Sequence, residues 1–582
     1  MTSTNTNHDL ESPSATAGAQ AAPVVDAPAA ADPRRWIAFI IMTVATFMDM
    51  LDGSIVNVAL PAIQHGMGAS FVQLQWITAG YVFAFALTLI TGGRLGDIYG
   101  RRRMFQLGVL GFVVTSFLCG ISVNPEMLVA SRLAQGLAAG LMVPQVMSII
   151  HVTFPDKEKG AVFAIQGTIG GLAATIAPLV GGLLVAWNVF GWDWRTIFLV
   201  NVPIGIIGYV LGWKYINESK APSRIRLDII GVVLATVSLT ALLFPLTFGR
   251  ELHWPAWGFV LMAASVVGFI GFIAYEKAKQ RKDGMPLVPL NLFKSRSFSA
   301  ALALMLGMFS FTGMFMLALY LYLQEGLGFS PLRTGVTLLA FCIGAFITAS
   351  ASVIALVPKF GRAVLQAGAV VIAVGVAVLL ASVSPDVTSW GLVPGLLLIG
   401  LGFGMTATPI ALFALQEVPH EDAGAASGLI NTKQQLGFAV GISVVTLAFF
   451  SPLASHGVSN TEALAPQFRQ EIVAAGVADA RATELTAAFQ SCATSTFSGT
   501  PDAAACGTVQ ADPQAKAIAD KFSHQAAGQS FTDAFKTTLY VGFGFAALAL
   551  LLASFLPRWL KQEEWGAPAE EGAEGSEETA KA

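Results

Sequence analysis

Apolar stretches long enough to cross a membrane recur along almost the whole chain. Of its 582 residues, 54 % are hydrophobic and only 12 % are charged, which is about half the charged fraction of a soluble protein. A spanning helix needs about 20 apolar residues, and on that criterion we predict fourteen spans. Their predicted limits are 36–63, 74–94, 104–122, 127–151, 160–187, 196–216, 228–248, 256–276, 298–323, 332–357, 363–382, 390–414, 424–450 and 534–557. We therefore expect an all-α integral membrane protein.

Charge in the short loops predicts the orientation of these spans. Lys and Arg concentrate in alternate loops, and the intervening short loops offer only Arg195, Arg250 and Arg333. Because cytoplasmic loops carry the excess of basic residues, we expect a multi-pass membrane protein with both termini in the cytoplasm. Residues 1–33 and the acidic segment 561–582 hold few large apolar residues, so we predict disordered cytoplasmic tails.

One predicted outer loop, 451–533, is far longer than a connection without structure of its own. Apolar spacing over 467–488 predicts an amphipathic helix within it. Cys492 and Cys506 lie in this loop, in an oxidising compartment, so we expect a disulfide between them. The loop is either a structural cap or a gate or binding surface for an extracytoplasmic partner.

Two acids interrupt the first apolar run. Asp49 and Asp52 are three residues apart, so they share one helix face near the middle of the bilayer, where an ionised side chain is costly. Two carboxylates this close repel when both are ionised, which leads us to expect that one binds a proton. The alternative is that each acid only hydrogen-bonds between helices. Arg132, in the outer third of the fourth span, also needs a partner, and Asp52 is the natural one across an estimated offset of about 10 Å, which water could bridge.

The loop after the second span reads Gly-Gly-Arg-Leu-Gly-Asp-Ile-Tyr-Gly-Arg-Arg-Arg over 92–103. Glycines allow two helix ends to turn sharply and approach closely, and an aspartate here can pair with the arginines or bind a helix N-terminus. This segment resembles the major facilitator superfamily signature G-x-L-x-D-x-x-G-R-[KR], although Ile98 stands where a basic residue is frequent. The resemblance implies a conformational latch made by Gly93, Asp97, Gly100, Arg101 and Arg102.

Other segments resemble the fourteen-spanner drug:proton antiporters of that superfamily. They are Leu-Asp-Gly-Ser-Ile-Val-Asn-Val-Ala-Leu-Pro over 51–61, Arg-Leu-Ala-Gln-Gly over 132–136, Trp-Arg-Thr-Ile-Phe-Leu-Val-Asn-Val-Pro over 194–203 and Ala-Pro-Leu-Val-Gly-Gly over 177–182. The last motif normally starts with Gly, and here Ala177 adds a methyl group. The resemblance implies an antiporter motif at Pro178, Gly181 and Gly182. It also implies proton coupling by Asp52 as the principal acid, with Asp49 and Arg132.

The resemblance further implies a major facilitator fold, in which two six-helix bundles flank two inserted helices. The expected divisions are a six-helix bundle over 34–217, inserted helices over 218–285, five helices of the second bundle over 286–450, the outer loop over 451–533 and the last helix over 534–560. A substrate cavity between the bundles is expected to involve Phe85, Gln166, Phe311, Tyr320, Asn431 and Lys433. Lys433 either lines that cavity or extends its amine to the cytoplasm.

The expected function is proton-coupled export of structurally diverse amphipathic or cationic drugs. The alternative is a dedicated exporter of a lipid, a siderophore or a self-made antibiotic. No phosphate-binding loop, metal-ligand cluster or catalytic cluster appears in the sequence, so we expect no enzyme activity, no metal and no cofactor. Membrane lipids, protons and the transported small molecule are the expected partners, without nucleic acid, and the protein is expected to be a monomer.

Overall fold

A computed structural model of the protein describes residues 33–155, 191–220, 227–249, 254–282, 286–419, 423–497 and 502–559, with isolated further positions, most of them within 156–190. The predicted tails lie almost wholly outside the described residues, as does Pro178. The longer helices are α1 Arg35–Met67, α2 Phe71–Tyr99, α3 Arg101–Gly120, α4 Pro125–Thr153, α5 Asn201–Tyr215, α6 Ile229–Phe248, α7 Ala256–Lys282, α8 Arg296–Leu321, α9 Pro331–Ala351, α10 Ala363–Ser382, α11 Ser389–Leu415, α12 Ala423–Val445, α13 Ser451–Ala474, α14 Asp479–Phe497, α15 Ala503–Gln510 and α16 Pro513–Ala553.

Thirteen helices of the described residues are long and apolar enough to cross a membrane. The predicted fifth span, 160–187, lies in the segment described only at scattered positions, so a total of fourteen stays a prediction. Helix starts follow their sequence signals. Ser70 and Gln73 form a reciprocal capping box at α2, and the Asn124 side chain accepts from the Met127 N–H at α4, since these side chains satisfy amides that have no partner inside the helix.

The helices form two bundles, each around its own apolar core. The first bundle joins α1–α5, with buried residues such as Met42, Phe105 and Ile150. The second joins α8–α12 with α16, with Phe315, Ile399 and Phe413 among its fully or almost fully buried side chains. Small residues allow these helices to approach closely, as they do in other membrane bundles. The two-bundle architecture expected from the sequence is therefore confirmed.

The inserted helices α6 and α7 pack against each other and lie beside the second bundle. Ala235 of α6 and Phe272 of α7 belong to the apolar core of that bundle. Helix α6 also contacts the first bundle, because the Trp76 ring of α2 stacks on Phe248 with ring centroids 4.1 Å apart. Leu243 of α6 further packs with residues of both α2 and α12. The inserted pair thus contacts both bundles.

The bundles also meet directly at the end that carries the signature loop 92–103, which we call the basic end. A Cβ atom on Gly428 of α12 would lie 3.4 Å from the Leu89 carbonyl oxygen and 3.5 Å from Ile90 Cα, both on α2. Val353 and Leu412 of the second bundle pack into the apolar core of the first. This end of the molecule is therefore closed.

The predicted outer loop is helical. Helices α13, α14 and α15 and the first part of α16 enclose a separate apolar cluster, in which Phe468 stacks on Phe489 with centroids 4.3 Å apart. The single amphipathic helix predicted over 467–488 is wrong, because α13 ends at Ala474 and α14 begins at Asp479. Gly476, with φ 93°, adopts the left-handed conformation that ends helices. The apolar spacing ran across both helices because both face one core.

Cys492 and Cys506 form a disulfide in this outer helical region. The bridge joins α14 to α15. Asp502 caps α15, and its Oδ1 accepts from the N–H groups of Ala504 and Ala505 at 3.0 Å and 3.1 Å. These hydrogen bonds to the charged form lower the pKa of the Asp502 carboxyl.

Candidate functional site

Asp52 is the centre of a buried polar network in the first bundle. Its Oδ2 forms an ion pair with Arg132, and both side chains are 0 % exposed. Its Oδ1 accepts from Gln135 Nε2 at 3.1 Å and from Asn201 Nδ2 at 2.8 Å. The same two amides donate to Ser116 Oγ at 3.0 Å and 3.1 Å. Side chains from α1, α3, α4 and α5 therefore surround one charged pair and supply most of the hydrogen bonds that a buried ion pair requires, although Arg132 Nη2 has no hydrogen-bond partner among the described residues.

Arg132 has further partners besides Asp52. Its Nε donates to the Ile77 carbonyl of α2 at 3.0 Å, and its Nη1 donates to Gln135 Oε1 at 2.8 Å. The guanidinium lies over the Tyr81 ring, 4.2 Å from the centroid, where the negative face of the ring attracts a cation. The expected water-bridged gap between Arg132 and Asp52 is wrong, because the two side chains are in direct contact. Both helices are longer than the hydrocarbon core, so a residue count from a helix end does not give depth.

Asp49 occupies a different environment one turn earlier on α1. The Tyr81 hydroxyl donates to its Oδ1, and among the described residues this is its single hydrogen-bond partner. Asp49 is 5 % exposed, whereas Asp52 has no exposure. Tyr81 therefore connects the two acids, because its hydroxyl binds Asp49 and its ring contacts Arg132, the partner of Asp52. Sequence reasoning missed Tyr81, because an aromatic residue in an apolar span carries no signal of its own.

Two glycines of the fourth helix bring this network together. A Cβ atom on Gly136 would lie 3.0 Å from Ala84 Cβ and 3.1 Å from Phe85 N, and one on Gly140 would lie 2.8 Å from the Phe85 carbonyl oxygen. Side chains larger than hydrogen would push α2 and α4 apart. The Arg-x-x-Gln-Gly motif thus supplies the charge, the amide and the small residue that lets Arg132 reach the backbone of α2.

The prediction of a loop over 92–103 is wrong, because α2 and α3 cover all of this segment except Gly100; we keep the name signature loop for it. A charged pair lies at its centre. Arg101 Nη2 and Asp97 Oδ1 are 2.9 Å apart, with side chains 3 % and 0 % exposed. Asp97 Oδ2 has no hydrogen-bond partner within the described part of the chain. Gly100, at φ 113°, takes a backbone conformation that L side chains avoid, and it permits the turn from α2 into α3. Gly93 is buried in the same helix end.

Arg102 and Arg103 of this loop bind within the first bundle. The Arg102 amide donates to Glu218 Oε1 at 3.1 Å, and its guanidinium lies 4.8 Å from the Trp213 ring centroid. Arg103 Nε lies 3.6 Å from Glu218 Oε2. These contacts join the loop to the end of α5 and the residues after it. They do not cross to the second bundle.

Arg94 makes the contact that does cross between the bundles. Its Nε donates to the Leu287 carbonyl at 3.0 Å, and its Nη2 donates to the Pro286 carbonyl at 2.6 Å. Arg94 is 5 % exposed, and Leu287 is buried in the core of the second bundle. Sequence analysis gave Arg94 no role beyond the signature, because its acceptors are backbone carbonyls 192 and 193 residues away.

The expected cavity residues fall into two groups. Phe85 stacks on Tyr81, the partner of Asp49, with centroids 6.2 Å apart. Gln166 contacts the helix that carries the acids, because its Oε1 accepts from Thr43 Oγ1 at 3.0 Å. The residues on the second bundle are spread over α8 and α12. Phe311 stacks on a neighbouring phenylalanine, Tyr320 is half-buried, Asn431 donates to the Ser427 carbonyl of its own helix, and Lys433 is half-buried.

The antiporter motif is only partly described. Ala177, in place of glycine, is fully buried in an apolar cluster with residues of α1, so the added methyl group has a packing role there. Gly181 is buried, and a Cβ on Gly182 would meet nothing within 4 Å. Within the described residues, no group of three or more acidic, His or Cys side chains could hold a metal ion.

These features are those of a polytopic helical membrane transporter with two bundles and a buried charged centre. A family model described as Major Facilitator Superfamily matches residues 42–442. The chain belongs to this superfamily of transporters, which are not enzymes, and it is a multi-pass protein of the bacterial plasma membrane.

Curated relatives cover most of the chain. It is 40 % identical to a probable actinorhodin transporter of Streptomyces coelicolor over 91 % of this chain and 93 % of that protein. It is 33 % identical to a puromycin resistance protein of Streptomyces alboniger, over 74 % and 85 %. It is also 33 % identical to the multidrug resistance protein Stp of Mycobacterium tuberculosis, over 69 % and 73 %.

Solved structures support the fold alone. The human organic anion transporter MFSD10 matches with a TM-score of 0.52 and 14 % identity, over 90 % of this chain and 99 % of that one. The proton:xylose symporter XylE matches with a TM-score of 0.50 and 14 % identity, over 71 % and 88 %.

Proposed function

We propose that this protein is a proton-coupled exporter of structurally diverse amphipathic or cationic drugs that works by alternating access. The observation that carries the proposal is the buried set of Asp49, Asp52 and Arg132, which pairs one acid fully and leaves the other with a single hydroxyl donor. Intramembrane acids are costly to keep, and a transporter keeps them where their charge changes during the cycle. Relatives named for antibiotic and multidrug resistance support the export direction.

The geometry favours Asp49 over Asp52 as the group that gains and loses the proton. Protonating Asp52 would remove a partner from Arg132 and weaken two amide hydrogen bonds, because its carboxylate accepts from all three. Protonating Asp49 leaves its bond to Tyr81 possible, since a hydroxyl can either donate or accept. Asp52 and Arg132 then serve as a fixed pair that holds Tyr81 in place. This assignment revises the expectation from the motif that Asp52 is the principal acid.

The closed basic end fits one half of the transport cycle. By the positive-inside rule that end faces the cytoplasm, so the described conformation is the one sealed against the cytoplasm. In our proposal a proton arriving from outside binds Asp49 in this state, after drug release. Its later loss to the cytoplasm resets the acid for another drug.

The available energy is sufficient for export. A membrane potential of 100 mV supplies about 2.3 kcal/mol for each charge that crosses, and a tenfold gradient costs about 1.4 kcal/mol. One proton therefore sustains an outward gradient of about fifty-fold for a neutral compound before any pH difference is added. No nucleotide is needed.

A dedicated exporter of one antibiotic is the second candidate. It is favoured by the 40 % identity to the probable actinorhodin transporter, which extends over 91 % of the chain. In that case the transport site would accept a narrow set of related compounds, and unrelated dyes would not compete. Competition in one transport assay separates the two candidates.

Everted membrane vesicles test the proposal directly. Vesicles containing the protein should take up ethidium or another cationic dye when their interior is made more acidic than the medium. A protonophore should abolish this uptake. Asp49→Asn should reduce gradient-driven uptake at least tenfold. Glu126→Gln is the matched control, because Glu126 lies in the first turn of α4 and accepts from Gln73 outside the network. Uptake that ignores the gradient, or undiminished uptake in Asp49→Asn, would refute the proton-coupling role.

A further inference from the structure

A second buried acidic pair lies at the basic end, between the inserted helices α6 and α7. Asp228 caps α6, and its Oδ1 accepts from the Gly231 N–H at 3.0 Å and from the Tyr275 hydroxyl at 2.8 Å. Glu276 of α7 uses its Oε2 to accept from the Val288 N–H at 3.0 Å. Neither acid contacts the network of the first bundle.

The other oxygen of each carboxyl group has no hydrogen-bond partner among the described residues. These oxygens are Asp228 Oδ2 and Glu276 Oε1. Both face Gly231: the position that a Cβ would occupy on this glycine lies 2.6 Å from Glu276 Oε1 and 2.7 Å from Asp228 Oδ2. Glu276 is 0 % exposed and Asp228 is 4 % exposed. Two ionised carboxylates in this arrangement would repel each other out of reach of water, and binding one proton would remove that repulsion.

We propose that Asp228 and Glu276 share one proton, and that this proton keeps segment 286–288 docked on Arg94 so that the basic end stays closed. We assign the proton to Glu276 Oε1, which then donates to Asp228 Oδ2, because Asp228 Oδ1 already accepts two hydrogen bonds. The inference goes beyond the proposed export function, since it concerns how one end is closed and not what is carried.

Segment 286–288 is held from two sides. Arg94 of the first bundle binds the carbonyl oxygens of Pro286 and Leu287, while Glu276 of the inserted pair binds the next amide, that of Val288. Leu287 and Val288 are buried in the core of the second bundle. The inserted helices therefore position the two carbonyls to which Arg94 donates. In this way the inserted helices contribute to closing the basic end.

Loss of the proton would weaken this arrangement in two ways. An ionised Glu276 is repelled by Asp228, so its side chain moves away from Gly231 and displaces the Val288 amide that it binds. It also attracts the Arg94 guanidinium away from the two neutral carbonyls, since a carboxylate is the stronger acceptor. Among the described residues, the charged or titratable groups that act on Glu276 and its neighbour Tyr275 are Asp228, Arg94 and Lys279. The basic end is expected to open as the proton leaves for the cytoplasm.

Distance measurements across the basic end test this without substrate or gradient. Tyr99 at the end of α2 and Phe293 before α8 are exposed positions, at 53 % and 40 %, and lie on opposite bundles. In a background with Cys119 and Cys342 replaced by alanine, spin labels at Tyr99→Cys and Phe293→Cys report the separation by pulsed electron resonance in nanodiscs. We expect the short distance to dominate at pH 5 and a longer distance to gain at least threefold in population by pH 9.

Three variants and a control decide the outcome. In Glu276→Gln the amide can still accept from Val288 and donate to Asp228, so the short distance should persist at every pH. Asp228→Asn should remove at least two thirds of the pH response, because the repulsion is lost. Gly231→Ala should favour the long distance throughout, because its methyl group meets both oxygens. Glu417→Gln is the control, since this acid contacts Ser295 at the same end, and it should keep the full response.

Several results would overturn the inference. The first is a wild-type distance distribution that does not change with pH. The second is an unchanged pH response in a monodisperse Glu276→Gln variant. The third is a distance that changes with sodium concentration at fixed pH, which would indicate a cation site instead. Any of these would leave the export proposal standing, because the labelled protein is measured without drug or gradient.

Discussion

Replacing Asp52 with asparagine separates a structural role from a proton-carrying one. The substitution leaves the Arg132 guanidinium, 0 % exposed, without its anion. Removing one partner of a buried ion pair destabilises a protein by about 3–5 kcal/mol. Asp49 lies close enough to Arg132 to offset part of this charge, so we expect a loss of about 3 kcal/mol. Asp49→Asn replaces a hydrogen bond to a carboxylate with a weaker one to a neutral amide oxygen and should cost about 1 kcal/mol.

The measurement is thermal unfolding in detergent, followed by tryptophan fluorescence and by retention of a monodisperse peak. We expect the melting temperature to fall by several degrees in Asp52→Asn and to change little in Asp49→Asn. The double variant Asp52→Asn, Arg132→Gln should recover most of the loss, because replacing both members of a buried pair is frequently neutral. The effects on transport should be the reverse of the effects on stability. Among variants that fold, Asp49→Asn should lose more gradient-driven uptake than Asp52→Asn.

The reasoning has a clear point of failure. If Asp52→Asn were as stable as the parent protein and the double variant gained nothing, the pair would not carry the structural load assigned to it. Asp52 would then return as the better candidate for the transported proton.

Three smaller predictions follow from other parts of the molecule. Replacing Cys492 and Cys506 with serine should lower stability by about 3 kcal/mol, the value for a closed loop of about 15 residues, and reductant should shift the melting curve only in the parent protein. Gly136→Ala should cost about 1–3 kcal/mol through overpacking, because its methyl group would meet the backbone of α2, and it should lower the melting temperature measured in detergent. Arg35 lowers the pKa of the Glu158 carboxyl, so this pair stabilises the fold above the ordinary pKa of 4.5 and the contribution disappears as pH falls through the lowered value. The part-exposed pair is worth less than about 1 kcal/mol, and Glu158→Gln should match the parent in thermal unfolding at pH 3 but not at pH 7.

Much of the fold could be predicted because the bilayer imposes a simple rule. A backbone in hydrocarbon must satisfy its own hydrogen bonds, so each apolar run of sufficient length becomes a helix, and α8, α10 and α11 begin and end close to the predicted limits. The outer helices α13–α15 could not be predicted with the same accuracy. They lie in water, where amphipathic spacing does not mark the turn at Gly476 between two helices that share one core.

Sequence analysis identified the charged residues of the candidate site and missed the uncharged polar groups that contact them, as well as the second acidic pair. Asp49, Asp52 and Arg132 stand out because a charge in an apolar run is conspicuous. Tyr81, Ser116 and the Glu276–Asp228 pair do not, since an aromatic, a serine or an acid near a helix end is ordinary in sequence. Their importance depends on which atoms face them across helix crossings, and these crossings are set by small residues on a different helix.

By itself, the sequence determined that this chain spans the membrane as many helices, which superfamily it belongs to, and which charges are stranded in hydrocarbon, because hydropathy and motif spacing are local properties. Only the tertiary structure decided that Asp52 forms an ion pair with Arg132, that Asp49 accepts a hydrogen bond from Tyr81, and that Arg94 donates to carbonyls 192 and 193 residues away. Hydrogen bonds form between atoms that packing brings together, and packing depends on all the helices at once.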